Sequence, residues 1–388
     1  MSGRRAIVLV IDALGVGALP DAARYGDEGT NTLSHLAAAV GGLELPTMER
    51  LGLGSVTKVQ GLEALAGPGL AGRLHALGAG KDSISGHWEL MGVVLDDPLP
   101  TYPEGFPQRV VERLTGTMGH EVICNRPDNG LAAIEEFGTE HLRSGALILY
   151  TSQDSVLQLA AHVDRLAPEE LYDACRRARE AMSGADSVGR VIARPFEGET
   201  GAFTRTDGRR DFALAPPTRS YLEELEAADV AVHGVGKIHD LFAGRGVSAS
   251  LPGATNARAM RSVAELVEEV DEGLVFANLI ETDQVFGHRK DVEGFHRALR
   301  EIDGFLAGLI ESLRPSDLLI VTADHGVDPA HPGTDHTREH VPLLAIGAQS
   351  LVAGSRHEGP MADVGASVLR WLANRDAPAL PGDSFLVS

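Results

Sequence analysis

Unbroken apolar runs alternate along much of the chain with stretches of helical period. AIVLVI (6–11), GLVFANLIE (273–281), DLLIVTA (317–323) and VPLLAI (341–346) are continuous rather than alternating. That pattern belongs to strands whose sheet is covered by helices on both faces, so all four are expected as buried parallel strands. Between the second and third, in DVEGFHRALREIDGFLAGLIESL (291–313), Val292, Phe295, Leu299, Ile302, Leu306, Leu309 and Leu313 recur at helical spacing. Strand, helix and strand then form one crossover unit of an α/β layer fold.

The pattern changes between about Asp97 and Pro217. This region opens on the proline-rich DDPLPTYPEGFP, holds one strand, ALILYTS, and one charged helix, PEELYDACRRAREAM, and closes on LAPPTR. Proline stiffens a connection without committing it to a sheet, so clusters at both ends predict an inserted domain with two linkers. The expected organisation is an α/β core from residues 1–96 and 218–388, with a mainly parallel sheet sandwiched by helices, and an inserted α+β domain over 97–217.

Composition narrows the chemistry. The chain has 388 residues, 43% of them hydrophobic, enough for a buried core and more than one domain. Cys124 and Cys175 are its two cysteines, which argues against a disulfide framework and excludes paired-thiolate metal sites. Any metal must therefore be held by histidine and carboxylate. A formal charge of −21 argues against nucleic acid or an anionic membrane as partner. It leaves small anions open, because a local arginine cluster acts within a Debye length of roughly 8 Å. The opening MSGRRAIVLVID is too short and too soon interrupted by Asp12 to act as a signal segment, and no later run approaches a membrane span. A cytoplasmic location is expected.

In open α/β sheets ligands bind beyond the carboxyl ends of the strands. Asp12 follows the first apolar run, Asp283 the second, and Asp324 and His325 the third. TADHGVDPAHPGTDH (322–336) then concentrates three histidines and three aspartates in fifteen residues too broken by Pro and Gly to be a helix. Looping back, it would return His331, Asp335 and His336 to the same edge. In DQVFGHR, Asp283 and His288 lie close enough on a loop to face one ion. Singly, each residue has an ordinary explanation as a turn, a helix cap or a hydrogen-bonded histidine. Together, Asp12, Asp283, His288, Asp324, His325 and His336 are too many for one tetrahedral site. A mixed oxygen and imidazole set suits Mn, Zn or Fe better than Ca or Mg.

Two ions held together are a device for phosphoryl transfer. Its nucleophile is expected near a helix start, where backbone amides face a phosphate. GAGKDSISGHWELMG (78–92) is such a place, with Ser83 and Ser85 as candidates. It lacks the GKS/T ending of a nucleotide-binding loop.

IDALGVG, GKDSISGHWELMG, NLIETDQVFGHR and TADHGVDPAHPGTDHTREHVPLL together resemble the phosphopentomutase family of the alkaline phosphatase superfamily. PDAARYGDEGTNTLSHLA, YTSQDSVLQLAAH, VGRVIARPF and FTRT extend the resemblance nearly end to end. ADHG marks only the superfamily, whereas GKDSISGHWE with HPGTDHTRE is specific to the mutase. The resemblance implies an alkaline phosphatase-like core with a cap. One Mn(II) ion would be held by Asp12, Asp324 and His325, the other by Asp283, His288 and His336. It implies Ser83 as the phosphorylated residue, at a position where threonine is common. Glu281 and Val327 likewise stand where aspartate and asparagine are usual. Ser152 and Asp154 would contact the sugar, and Arg190, Arg205 and Lys237 the substrate phosphate. Guanidinium pairs bidentately with phosphate, which suits that assignment.

The implied activity is an isomerase of nucleoside catabolism. Ribose 1-phosphate and ribose 5-phosphate, and the 2-deoxyribose pair, would interconvert through a phosphoserine and a 1,5-bisphosphate. A sugar 1,6- or 1,5-bisphosphate would prime the enzyme. The alternative is a two-metal phosphatase or phosphodiesterase of the same superfamily. No CxPxR or SxPxR sequence of a sulfatase occurs.

Overall fold

The computed structural model describes residues 3–152, 154–347 and 351–387. The chain divides into two compact units, Met1–Pro98 with Pro216–Ser388, and Leu99–Ala215. In chain order, β1 (Arg5–Ile11) and β2 (Leu70–His75) precede the second unit. That unit holds β3 (Val122–Pro127), β4 (Leu147–Thr151), β5 (Val156–His162), β6 (Arg190–Glu197), β7 (Thr204–Arg205) and β8 (Arg210–Ala213). After it come β9 (Val232–Val235), β10 (Ala249–Leu251), β11 (Gly273–Leu279), β12 (Asp317–Thr322), β13 (Val341–Gly347) and β14 (Ser355–Pro360).

The first unit is built on one sheet in the order β10-β9-β11-β1-β12-β13-β2-β14. Every residue of β1, β11 and β12 is buried, so these apolar runs are the middle of a covered sheet. The helix Asp363–Ala373 packs on β1 and β11, and the helix Asn256–Glu269 on β11. The helix Val292–Glu311 buries Phe295, Leu299, Ile302, Leu306 and Leu309 and starts at Asp291, whose side chain accepts from the Gly294 amide. Leu313 lies past its end.

One expectation is overturned. VPLLAI is not a parallel strand: β13 runs antiparallel to both β12 and β2, the single reversed strand of this sheet. Residues 323–340 contain no helix, so the chain has no crossover with which to return to the far edge. It comes back alongside β12, which brings the whole connection to the carboxyl edge of the parallel strands.

Strand alignment is pinned at the other edge. Arg5 and Asp317 are register partners at the starts of β1 and β12, and their fully buried side chains pair at 2.6 Å. Arg5 also donates Nη1 to the Val267 and Val270 carbonyls, which partly compensates a guanidinium cut off from water. With that alignment Ile11 stands beside Leu279 and Val10 beside Thr322, so the strand ends bearing the candidate residues are level.

The second unit is a mixed sheet, β3-β4-β5-β6-β7 with β8 on β6. Alternation sends Leu147, Leu149, Leu157, Leu159, Val191 and Ala193 into one apolar cluster with residues of the helices Gln108–Met118 and Pro168–Ala181. Ile148, Tyr150, Ala160 and Phe196 enter another, shared with the helix Gly130–Ser144. Among the described residues no helix is long and apolar enough to cross a membrane.

Candidate active site

At the carboxyl edge of the first unit, ligand atoms of Asp12, Asp324 and His325 lie within 4.8 Å of one another. The same holds for Asp283, His325 and His336, so His325 stands where the two groups meet. His288 Nε2 is 3.3 Å and His336 Nε2 3.4 Å from Asp283 Oδ1. The ring centroids of His288 and His336 lie 4.7 Å apart, and those of His325 and His336 4.1 Å, with the planes tilted by 51° and 47°. His331 and Asp335 are not drawn into these groups. His331 Nε2 meets the Gly26 carbonyl at 2.8 Å, and Asp335 pairs with Lys81 at 3.3 Å.

Backbone carbonyls orient two of the histidines. His288 Nδ1 is 2.7 Å from the Thr334 carbonyl and His325 Nδ1 3.2 Å from the Gly326 carbonyl. A carbonyl only accepts, so each Nδ1 carries the proton and each Nε2 keeps a lone pair turned toward the carboxylates. That is the tautomer a metal-binding imidazole needs.

The carboxylates are held under electrostatic tension. Burial, then Asp324 and Asp283, push the Asp12 carboxyl well above its usual range, against the pull of Lys237 and Asn278. Burial also opposes ionisation of Asp283, yet positive charge on His336, His325 and His288, the charge a metal ion would bring in place of their Nε2 protons, outweighs it and holds that carboxyl low. At Asp324 burial is likewise overcome, by His325, His87 and the Ala13 amide. Asp283 Oδ1 and Asp324 Oδ2 are buried without a hydrogen-bond partner. Orphaned anionic oxygens in such a place are costly unless a cation meets them. Together with the imidazole lone pairs they fit divalent metal ions.

The glycine-rich approach ends in the helix Ser83–Leu90, capped by Asp82. The two serines are used differently. Ser85 Oγ donates to Asp82 Oδ2 at 2.8 Å and accepts from the Asp82 amide, closing a capping box. Ser83 opens the first turn and turns its Oγ to His325 Nε2 at 3.1 Å and Asp12 Oδ1 at 3.4 Å. Glu89 holds the approach by accepting from the Leu77 and Gly78 amides, at 2.7 and 3.0 Å. Arg338 donates to the Gly80 carbonyl at 2.7 Å.

Sequence reasoning missed several residues that orient these groups. Asn278 Nδ2 donates to Asp12 Oδ2 at 3.0 Å; a polar residue within the apolar run GLVFANL was the available clue. His87, with no exposed surface, lies 3.2 Å from Asp324 Oδ2. Glu339 accepts from the Gly17 and Thr32 amides and from the Thr32 and Thr337 hydroxyls, joining the loops after β1 and β12. Glu281 accepts from the Asn256 amide at 2.6 Å, and Val327 is buried against the position a Gly287 side chain would take.

Lys237 belongs to the first unit, and Ser152, Asp154, Arg190 and Arg205 to the second. There Asp211 pairs with Arg209 at 2.7 Å and Arg190 at 3.6 Å. Burial raises the Asp211 carboxyl, but Arg209, Arg190 and Arg194 bring it below its usual range. Burial likewise raises the Tyr150 hydroxyl, against Arg194 and Arg205. Three arginines thus act on one aspartate, with Arg205 beside Tyr150, a cationic excess suited to a phosphate. Asp154 donates its amide to Ser152 Oγ at 3.3 Å.

Residues 4–374 match the Metalloenzyme superfamily. A phosphopentomutase of Anaeromyxobacter dehalogenans is 47% identical over 389 aligned positions, covering 99% of this chain and 97% of that one. One from Caldanaerobacter subterraneus subsp. tengcongensis is 44% identical, with the same coverage. One from Carboxydothermus hydrogenoformans is 46% identical over 89% of each chain. Among solved structures, Leishmania mexicana phosphoglycerate mutase at low cobalt concentration aligns with a TM-score of 0.52 and 13% identity. It covers 100% of this chain and 98% of that one, a likeness of fold alone.

Proposed function

The chain belongs to the phosphopentomutase family, and from that premise we propose that Ser83 is the residue through which it moves a phosphoryl group between the two ends of a pentose phosphate. The enzyme is an isomerase that interconverts ribose 1-phosphate and ribose 5-phosphate, and the 2-deoxyribose pair. Phospho-Ser83 gives its phosphoryl group to the free hydroxyl of the monophosphate. The hydroxyl oxygen bonds to phosphorus as the Ser83 Oγ–P bond breaks, its proton ends on Ser83 Oγ, and a 1,5-bisphosphate forms. The bisphosphate then returns its other phosphate to Ser83, and the isomeric monophosphate leaves.

The observation that carries this reading is the placement of Ser83 Oγ, on the first turn of its helix and facing His325 Nε2 and Asp12 Oδ1. Asp12, Asp324 and His325 would hold one divalent ion, and Asp283, His288 and His336 the other, with Mn(II) suited to the mixed donor set. When bound, the ions supply positive charge to the phosphoryl oxygens and the serine oxygen. The helix start adds the positive end of its dipole, while its Ile84 and Ser85 amides are taken by the Asp82 side chain. Ser152 and Asp154 orient the sugar. Arg190 and Arg205, with Lys237, bind the substrate phosphate by charge-assisted hydrogen bonds. A sugar 1,6- or 1,5-bisphosphate primes unphosphorylated Ser83. Two unpaired cysteines suit a reducing cytoplasm.

Phosphorus NMR of Mn-loaded protein with ribose 5-phosphate and a trace of glucose 1,6-bisphosphate tests the reading. A sugar 1-phosphate resonance is expected, lost by at least about a thousandfold in Ser83→Ala. Inorganic phosphate as the sole product would instead make the protein a phosphatase.

A further inference from the structure

His87 is fully buried in the nucleophile's helix, four residues after Ser83, and takes no part in the chemistry described above. Its Nδ1 meets the Ser83 carbonyl at 2.8 Å and lies 3.2 Å from Asp324 Oδ2. Both oxygens can only accept, so Nδ1 carries the proton. On the other side of the ring, Nε2 is 3.1 Å from Asn278 Nδ2, which also donates to Asp12 Oδ2 at 3.0 Å. The two amide hydrogens of Asn278 are thereby divided between His87 and Asp12. One ring thus touches the nucleophile's own backbone, one candidate metal ligand directly, and a second through a single amide.

We propose that His87 is a positioning residue that sets the Ser83 hydroxyl in register with the metal held by Asp12, Asp324 and His325. The proposal rests on the mutase reading of Ser83. The Nδ1 proton goes to the Ser83 carbonyl while the same nitrogen stands against Asp324 Oδ2, so the first turn and that carboxylate are packed on one imidazole. The Nε2 lone pair takes one Asn278 amide hydrogen and leaves the other to Asp12. Groups that orient metal ligands in this way typically change metal affinity or activity by about 10–100-fold when lost. Without His87 the serine and the ion can each be present yet out of line, which lowers turnover without weakening substrate capture.

The test compares His87→Phe, which keeps a ring beside Phe276 but has no hydrogen-bonding atoms, with His87→Asn, whose amide nitrogen can stand where Nδ1 stands. Mn(II) titration of metal-free protein by calorimetry is the readout independent of turnover. His87→Phe is expected to weaken one of two Mn(II) sites by about 10–100-fold. It is also expected to slow phosphorylation of Ser83 by glucose 1,6-bisphosphate, with KM for ribose 5-phosphate unchanged. His87→Asn is expected to recover at least about tenfold of both losses. If His87→Phe does not fold, Asn278→Leu carries the test, with the same selective loss at one Mn(II) site expected. Wild-type Mn(II) affinity and phosphorylation rate in His87→Phe, or in Asn278→Leu where that variant stands in, would overturn the proposal, as would a His87→Asn variant no better than His87→Phe. Wild-type protein that binds two Mn(II) ions but releases only inorganic phosphate would refute the mutase reading while leaving the metal-affinity comparison intact.

Discussion

Ser83 and Ser85 differ by two positions and one hydroxyl orientation, and sequence spacing could not separate them. What separates them is the helix start: the third residue of the helix is spent on the cap, and the first is left to face the carboxylates. A nearby group reports on the same turn. Glu89 is 2% exposed, and burial pushes its carboxyl from 4.5 to about 7, against the Leu77 and Gly78 amides. A folded value above the unfolded one means that the folded protein holds this proton more tightly. The stabilisation is complete below about pH 4.5 and is lost as pH rises through about 7. In Glu89→Gln that dependence is absent. The stability advantage of wild type over the variant should therefore shrink by on the order of 2 kcal/mol between pH 5 and pH 8. Urea unfolding of both proteins at the two pH values measures it, and an unchanged difference would show that Glu89 is ionised throughout.

Apolar periodicity located the central strands and the helix Val292–Glu311, because burial on both faces and burial on one stripe leave different marks in a sequence. It misread the direction of β13, since a covered antiparallel strand carries the same continuous run as a parallel one. The information lay in the connection: without a crossover helix, residues 323–340 could only return alongside β12. Helix placement against a strand end is equally invisible in sequence. Gly86 lies so close to Asp324 that a Cβ there would sit 2.3 Å from the Asp324 carbonyl oxygen. Backbone cannot yield as a flexible side chain can, so Gly86→Ala must displace the helix that carries Ser83. Phosphorylation of Ser83 should fall by about 100-fold with far-ultraviolet circular dichroism preserved. A variant phosphorylated at the wild-type rate would mean that the helix shifts without cost.

Across the whole molecule, a formal charge of −21 is accompanied by three carboxylates, Asp12, Asp283 and Asp324, buried together at one sheet edge. Their mutual repulsion and desolvation, only partly offset by the neighbouring histidines, should make the fold more stable with cations there. Saturating Mn(II) at about 1,000 times its dissociation constant should add about 4 kcal/mol, and excess chelator should remove it. Differential scanning calorimetry would register this as a rise of several degrees in Tm with metal. An identical Tm with and without chelator would place the ions elsewhere. By itself the sequence determined the α/β class and the exclusion of paired-thiolate metal sites, and its motifs carried the resemblance to the family. The first two follow from periodicity and residue type, the third from motifs matched as whole segments. Only the tertiary structure decided which serine faces the carboxylates, how His325 comes to stand between two groups of acidic and imidazole side chains, and how His87 and Asn278 join Asp12 and Asp324 to the helix that carries Ser83. These are contacts between residues far apart in the chain, set by strand alignment and by a reversed strand, and no local pattern of hydrophobic and polar positions encodes them.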